Sequence, residues 1–519
     1  MILKKISSLA ISIFLLASVC ATAQKATPFP LGTPEAEGVS SKGIYSFLEA
    51  AGKSKHEFHS IMILRHGKLI ADGWWNPYRP DLLHSMYSVS KSFTSTAIGF
   101  AVTEKRITVN DKVISFFSDD LPQDFSPYLG DLTIKDLLTM SVGQEPDPTF
   151  SIATRDSNWV KAFLALPIKY KPGTKFLYNS LATYMLSAIV QKVTGQKEID
   201  YLQPRLFGPL GIKGIDWETD VHGINTGGWG LRLKTADMAK LGQLYLQKGN
   251  WLGKQLLPKE WVEEATTMKI EQQPDSPQAV KDSSDWLQGY CYKFWRCRHH
   301  CYRADGAFGQ YIIVMPDQDA VIAITSETAD MQSELNLVWQ YLLPAFHEGR
   351  LPADMKTQTA LEQKLHALSL AIPTGIKSNH AFETSIADKS FAIEPNGKKI
   401  ETLAFHFKDN RCVLDLKTDT ALYTFSFGDG KWAYGQTKRH GPNLLGTAKG
   451  ALKGLPPFKV AGSYRWEDEH TLELTLRYIE SPHTETITCH FDEGQIAVDV
   501  KNSFDHGSAK NTLKGAAVK

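Results

Sequence analysis

The chain has 519 residues, 42% of them hydrophobic and 22% charged, with Lys plus Arg at 57 and Asp plus Glu at 56. That balance excludes a disordered or fibrous chain, and with no basic stripe it makes nucleic acid and anionic membrane poor partners. At about 150 residues per domain, the length suits two or three domains.

The chain opens like a targeting segment. Lys4 and Lys5 precede an apolar run from Leu9 to Val19, and Ala21-Thr22-Ala23 gives the small-x-small pattern of a signal-peptidase site. Eleven apolar residues are too few to span a bilayer, which needs about 20, and no later stretch is long enough. The expectation is a signal peptide over residues 1–23, cleavage after Ala23, and a periplasmic or secreted protein without a membrane span. Cleavage removes Cys20 and leaves five of the six cysteines.

Next comes a hairpin, Ile61 to Leu64 and Leu69 to Ala71 about Arg65-His66-Gly67-Lys68. Phe93, Ala97, Phe100 and Ala101 fall at helical spacing within Ser92 to Val102. A second hairpin joins Tyr311–Met315 to Ala320–Ile324 across Pro316-Asp317-Gln318-Asp319. Strands at both ends with helices between predict an α/β (α+β) domain over 28–350, its antiparallel sheet flanked by helices. Residues 351–375 read as a linker with a helix from Ala360 to Leu370. Over 376–519 the period becomes two, as in Leu403-Phe405-Phe407, Tyr423-Phe425-Phe427 and Leu472-Leu474-Leu476-Tyr478. Turn signals such as Pro395-Asn396-Gly397 separate these runs, which predicts a small antiparallel β-barrel or sandwich.

Tyr87-Ser88-Val89-Ser90-Lys91 is the most informative stretch. Three residues apart on a helix's first turn, Ser88 and Lys91 share a face, so the amine can reach the hydroxyl. Serine is a weak nucleophile without a base, and lysine serves as one only if burial or nearby positive charge lowers its pKa from about 10.4. The helix N-terminus at Ser88 also offers N–H groups to a developing oxyanion.

With three further blocks, the chain resembles the serine β-lactamase-related hydrolases, the class C type that includes penicillin-binding enzymes, esterases and aminohexanoate-oligomer hydrolases. Ser88-Val89-Ser90-Lys91 resembles the family's first motif. Ile134 to Gly143 resembles the block that follows it, read as a helix ended by Gly143. Pro172-Gly173-Thr174-Lys175-Phe176-Leu177-Tyr178-Asn179-Ser180 resembles the second motif, and Ala304-Asp305-Gly306-Ala307-Phe308-Gly309-Gln310-Tyr311 the third. The resemblance implies Ser88, Lys91 and Tyr178 as catalytic residues, with Tyr178 relaying protons as a phenolate favoured by a charged Lys91. It implies Asn179, Ser180, Asp305, Gly306 and Ala307 around substrate and oxyanion, with an N–H near Ala307 as second donor. Asn179 or Ser180 could instead cap the helix that runs to about Val193. No metal or organic cofactor is required, and the expected partner is a small-molecule or peptide-like substrate.

Two positions depart from the family pattern. Ser180 stands where Asn is usual, and Ala304 where Lys or His often begins the third motif, so lactam recognition is weakened. All three motifs precede the change of texture, so a chain ending near Arg350 is expected to keep their chemistry. Elsewhere, Cys291, Cys297 and Cys301 with His299 and His300 leave zinc, a disulfide or buried thiols open. Arg296, Arg298 and Arg303 could meet an anionic substrate group or be solvated. Trp74-Trp75-Asn76-Pro77-Tyr78 could line a substrate wall or pack in the core. The reading is a serine hydrolase acting through an acyl-enzyme on an ester or amide. A β-lactamase or D-amino-acid peptidase, and a silent binding or sensor protein of the same fold, are the alternatives.

Overall fold

A computed structural model describes residues 29–376, 380–505 and 512–518; the expected signal segment lies outside them. β1 (Glu57–Arg65) and β2 (Lys68–Trp74) form the first hairpin, turned by His66 and Gly67 at φ 50° and 72°. Two successive left-handed residues match the twist of a two-residue hairpin. β3 (Trp295–Arg296), β4 (Tyr302–Gly306), β5 (Gln310–Met315) and β6 (Ala320–Glu327) join them in an antiparallel sheet ordered β2-β1-β6-β5-β4-β3.

Alternate residues of the central strands feed two cores. Met62, Leu64, Ile312, Val314, Val321 and Ala323 belong to one; Ile61, Ile63, Tyr311, Ile313, Ile322 and Ile324 belong to the other. Because both faces are apolar, both must be covered by helices. α1 (Ser41–Lys53) packs on the Ile61 face. α2 (Ser90–Thr103), α3 (Ile134–Leu138), α4 (Ser180–Thr194) and α5 (Thr235–Leu246) pack on the Met62 face. α6 (Met331–Leu337) and α7 (Met355–His366) return to the Ile61 side, where Leu335 and Leu361 are buried.

Two helix boundaries differ from expectation. α3 stops at Leu138 because Met140 turns left-handed at φ 58°. Gly143 is no helix cap: a Cβ there would lie 2.1 Å from the Tyr170 carbonyl oxygen, so close approach demands glycine. α7 starts earlier than Ala360, since the Asp354 side chain accepts the Thr357 N–H and caps the helix.

The remaining strands are β7 (Ser390–Ile393), β8 (Ile400–Lys408), β9 (Arg411–Thr418), β10 (Leu422–Asp429) and β11 (Ala433–Thr437). β12 (Phe458–Trp466), β13 (Thr471–Tyr478), β14 (Thr484–Asp492), β15 (Gln495–Asn502) and β16 (Thr512–Ala517) follow. Their order is β10-β9-β8-β7-β16-β15-β14-β13-β12-β11, and a parallel pairing of Gly428 and Asp429 with Ser463 and Tyr464 joins β10 to β12. Nine strands thus close into a barrel, which is antiparallel except at that seam. Phe405, Leu414, Phe425, Phe427, Trp466, Leu474 and Phe491 fill it as a side-chain core.

The barrel is not a separate appendage. Its Trp432, Ala461 and Ile479 belong to the same core as Ile61 and Phe47, and Ala448 to the Met62 core. Arg477 reaches the Glu57 carboxylate with both terminal nitrogens, at 2.5 and 3.0 Å. This continuity weighs against the expectation that a chain ending near Arg350 would carry an intact site.

Candidate active site

The turn that presents Ser88 is pinned from several sides. Met86 N–H donates to the Leu231 carbonyl, and the buried Ser90 hydroxyl donates to Tyr87 O at 2.6 Å while accepting Leu231 N–H at 3.2 Å. Tyr87 is held at φ 44°, a conformation that costs a bulky residue about 1–3 kcal/mol and persists only under surrounding restraint. α2 begins immediately after, so Ser88 stands half-buried at a helix N-terminus with Lys91 one turn on.

Lys91 is 2% exposed. Its Nζ donates to Ser88 Oγ at 2.8 Å and to the Gly228 carbonyl at 2.6 Å. Burial pushes its pKa down to about 7, against the pull of Asp147 and Asp305. A buried amine that can be neutral near pH 7 is a competent base for the serine hydroxyl. The Tyr178 ring lies 5.0 Å from Nζ, and Ser88 is near enough to its hydroxyl to favour the ionised form. Burial raises the phenol's pKa well above its usual value, more than the bond to Ser88 lowers it. Burial thus disfavours the expected phenolate, while it lets Lys91 give up its proton near neutrality.

The Beta-lactamase family profile matches residues 54–344. The chain belongs to that family. Its members are serine hydrolases of this fold. The chain is 24% identical over 296 residues to 6-aminohexanoate-dimer hydrolase of Paenarthrobacter ureafaciens, covering 52% of this chain and 73% of that one. It is 26% identical over 141 residues to a candidate D-alanyl-D-alanine carboxypeptidase of Escherichia coli (strain K12), covering 25% of this chain but only 32% of that protein. Among solved structures, a candidate beta-lactamase from Bacteroides dorei DSM 17855 superposes with a TM-score of 0.50 at 15% identity, covering 59% of this chain and 99% of that one.

Within this β-lactamase frame the third motif reaches the nucleophile's turn through Gly306, whose Cβ, if present, would lie 2.4 Å from the Met86 carbonyl oxygen. Ala307 follows at once, and its carbonyl accepts from Gln310 Nε2 at 3.2 Å. Asp305 is turned to Arg303, whose Nε donates to it at 2.8 Å, and burial raises the Asp305 pKa in spite of that cation. Ser180 is half-buried beside the Gly228 backbone. Asn179 does not fit the expected substrate-binding role. It caps α4 by accepting Ala182 N–H at 3.1 Å, and its amide nitrogen donates to Gln144 Oε1 at 2.9 Å.

Two of the three arginines, Arg298 and Arg303, are committed to carboxylates and offer no free cation to substrate. Arg303 is fully buried over the Trp286 ring at 4.3 Å and bonded to Asp305 and to the Asp285 carbonyl. Arg298 pairs with the Asp285 carboxylate, and Arg296 donates to the Thr266 and His300 carbonyls. Trp75 and Tyr78 pack on Phe58 and His59. The wall at Tyr178 is Trp295 instead, stacked at 5.8 Å. All five cysteines described are free and buried, and among the described residues no His, Cys, Asp and Glu cluster is arranged to hold a metal.

Sequence reasoning missed Gly228. The signal was there in Gly227-Gly228-Trp229-Gly230, where a Cβ on Gly228 would lie 2.7 Å from the Ser180 carbonyl oxygen. That close approach lets a backbone carbonyl reach a buried lysine.

Proposed function

We propose that this protein is a serine hydrolase that cleaves an ester or a linear amide through an acyl-enzyme on Ser88. The observation that carries the reading is the 2.8 Å bond from the buried Lys91 amine to Ser88 Oγ. Ser88 attacks the carbonyl carbon and its proton passes to Lys91. The backbone N–H groups of Ser88 and Ala307 hold the oxyanion. Tyr178 hands a proton to the leaving group, and the carbon–oxygen or carbon–nitrogen bond breaks. Water then attacks the acyl carbonyl, gives its proton to the same pair, and Ser88 is released.

Since Lys91 must be neutral, kcat/KM should rise with pH through about 7 and fall about tenfold per unit below it. A profile of short-chain nitrophenyl ester hydrolysis from pH 5 to 9 checks this; a flat acid limb would remove Lys91 from the role of base.

Simple esters should be turned over far faster than β-lactams. Ser180 lacks the paired donor and acceptor of an amide, Ala304 is buried and uncharged, and Arg303 is held by Asp305. Each missing charged hydrogen bond costs about 1.5–3 kcal/mol, roughly ten- to a hundredfold. Parallel assays with a nitrophenyl ester and a chromogenic cephalosporin test this, and equal turnover would refute the substrate assignment. The carboxypeptidase similarity favours D-amino-acid peptides as the second reading, to be screened in the same panel. A silent binding protein would have no need of a buried Lys91 bonded to Ser88.

The proposal includes export. Mature material should begin at Gln24, which N-terminal sequencing of the exported fraction checks; a start at Met1 or at a lipidated Cys20 would contradict it.

A further inference from the structure

The loop between β13 and β14 of the barrel enters the catalytic domain directly behind the nucleophile. Ser85 N–H donates to the Glu480 carbonyl at 3.0 Å, and the Tyr78 hydroxyl donates to the Ser481 carbonyl at 3.1 Å. At the loop's end lies His483, fully buried. Its Nδ1 is 2.7 Å from Glu327 Oε1, at the end of β6, and its Nε2 is 2.5 Å from the Tyr87 hydroxyl. A carboxylate only accepts, so Nδ1 carries a proton, and in the neutral imidazole Nε2 accepts from the Tyr87 hydroxyl. Ser503, also from the barrel, donates to the same Glu327 oxygen at 2.5 Å and fixes its orientation.

The same imidazole packs on a second turn. Phe308 meets its ring at 4.7 Å, edge to face, and meets the Tyr87 ring at 5.5 Å; Phe504 closes the cluster at 4.5 Å from His483. Tyr87 precedes Ser88 and Phe308 follows Ala307, so one barrel residue touches the neighbours of both proposed oxyanion donors. Both neighbours are left-handed, at φ 44° and 67°, where bulky side chains stay only when their surroundings hold them.

We propose that His483 is a positioning residue that sets the two turns of the oxyanion site in register, making the barrel part of the catalytic apparatus. The inference rests on the acyl-enzyme reading above. His483 touches no reacting atom; it acts through the Tyr87 hydroxyl and the Phe308 ring.

The test uses the full-length protein and a nitrophenyl ester, with kcat, KM, fluorophosphonate acylation rate and thermal midpoint measured for each variant. Tyr87→Phe removes only the hydroxyl, while His483→Phe keeps a ring against Phe308 but removes the acceptor. Each should lower kcat and the acylation rate about ten- to a hundredfold while KM stays within about twofold, since removing an oxyanion donor outright costs about 10²–10³. The double variant should be no slower than His483→Phe alone, because the Tyr87–His483 bond is already lost there, whereas His483→Phe also loses the bond to Glu327. His483→Gln, which keeps a carbonyl acceptor, should recover part of the loss. A folded Tyr87→Phe protein with unchanged kcat overturns the proposal, as does a loss confined to KM or strict additivity in the double variant. If His483→Phe fails to fold, Tyr87→Phe decides alone. Ser88→Ala serves as the control: retained turnover there would sink the acyl-enzyme reading itself, whereas an inactive Ser88→Ala with an unimpaired Tyr87→Phe sinks only the positioning role.

Discussion

Ser88→Ala should lower ester turnover by about 10⁴-fold or more and abolish fluorophosphonate labelling. One oxygen is lost from a half-buried position, and Lys91 keeps its bond to the Gly228 carbonyl, so the fold should be unaffected. Circular dichroism and the thermal midpoint should match the parent, with any stability change within about 1 kcal/mol. The same variant separates the base from the nucleophile. Lys91 remains buried and basic in it, so residual hydrolysis would measure what the base and the oxyanion donors together do for direct attack by water. Undiminished hydrolysis would place the chemistry elsewhere.

The second large effect concerns the barrel. A chain ended at Arg350 should be insoluble or inactive, although Ser88, Lys91 and Tyr178 all precede that point. The truncation strips Trp432, Ala461 and Ile479 from a shared core and takes Arg477 from Glu57. A buried large apolar side chain contributes about 1.5–3 kcal/mol, and a charge-assisted bond about the same. Set against a whole-protein stability of about 5–15 kcal/mol, several such losses together are enough to unfold the remainder. Expression of 24–350 beside the full chain, with size-exclusion chromatography and the ester assay, checks this. A monomeric truncation with full activity would show that the barrel is dispensable.

The catalytic cluster was legible because its core is local. Ser88 and Lys91 are three residues apart on one helix, and helical geometry alone brings amine and hydroxyl together. The sheet was legible for a similar reason: the Gly67 turn and the Pro316–Asp319 turn mark hairpins whose alternation survives in a single sequence. What the sequence hid arrives across long separations. The Gly228 carbonyl meets Lys91 from 137 residues away and His483 meets Tyr87 from 396, with no periodicity linking either pair. Arg303 was opaque for another reason. An arginine beside a glycine-rich motif defaults to solvent, and only the tertiary stacking of Trp286 and Trp295 with Asp305 makes its burial tolerable. Gly143 was misread because a helix cap and a close backbone approach leave the same residue in the sequence.

The order of strands in the first sheet bears on how the chain is made. β1 pairs on one side with β2, a few residues later, and on the other with β6, where Ile61 faces Ile324. At roughly 5–20 residues per second, the ribosome needs roughly 13–50 s to deliver that second neighbour. Throughout the interval the Ile61-Met62-Ile63-Leu64 edge has formed its hairpin but lacks its other partner, and it is apolar, β-prone and uncharged. A nascent chain of this protein therefore carries an aggregation-competent strand until late in synthesis. Yield in a heterologous host should follow the supply of holding chaperones that occupy it.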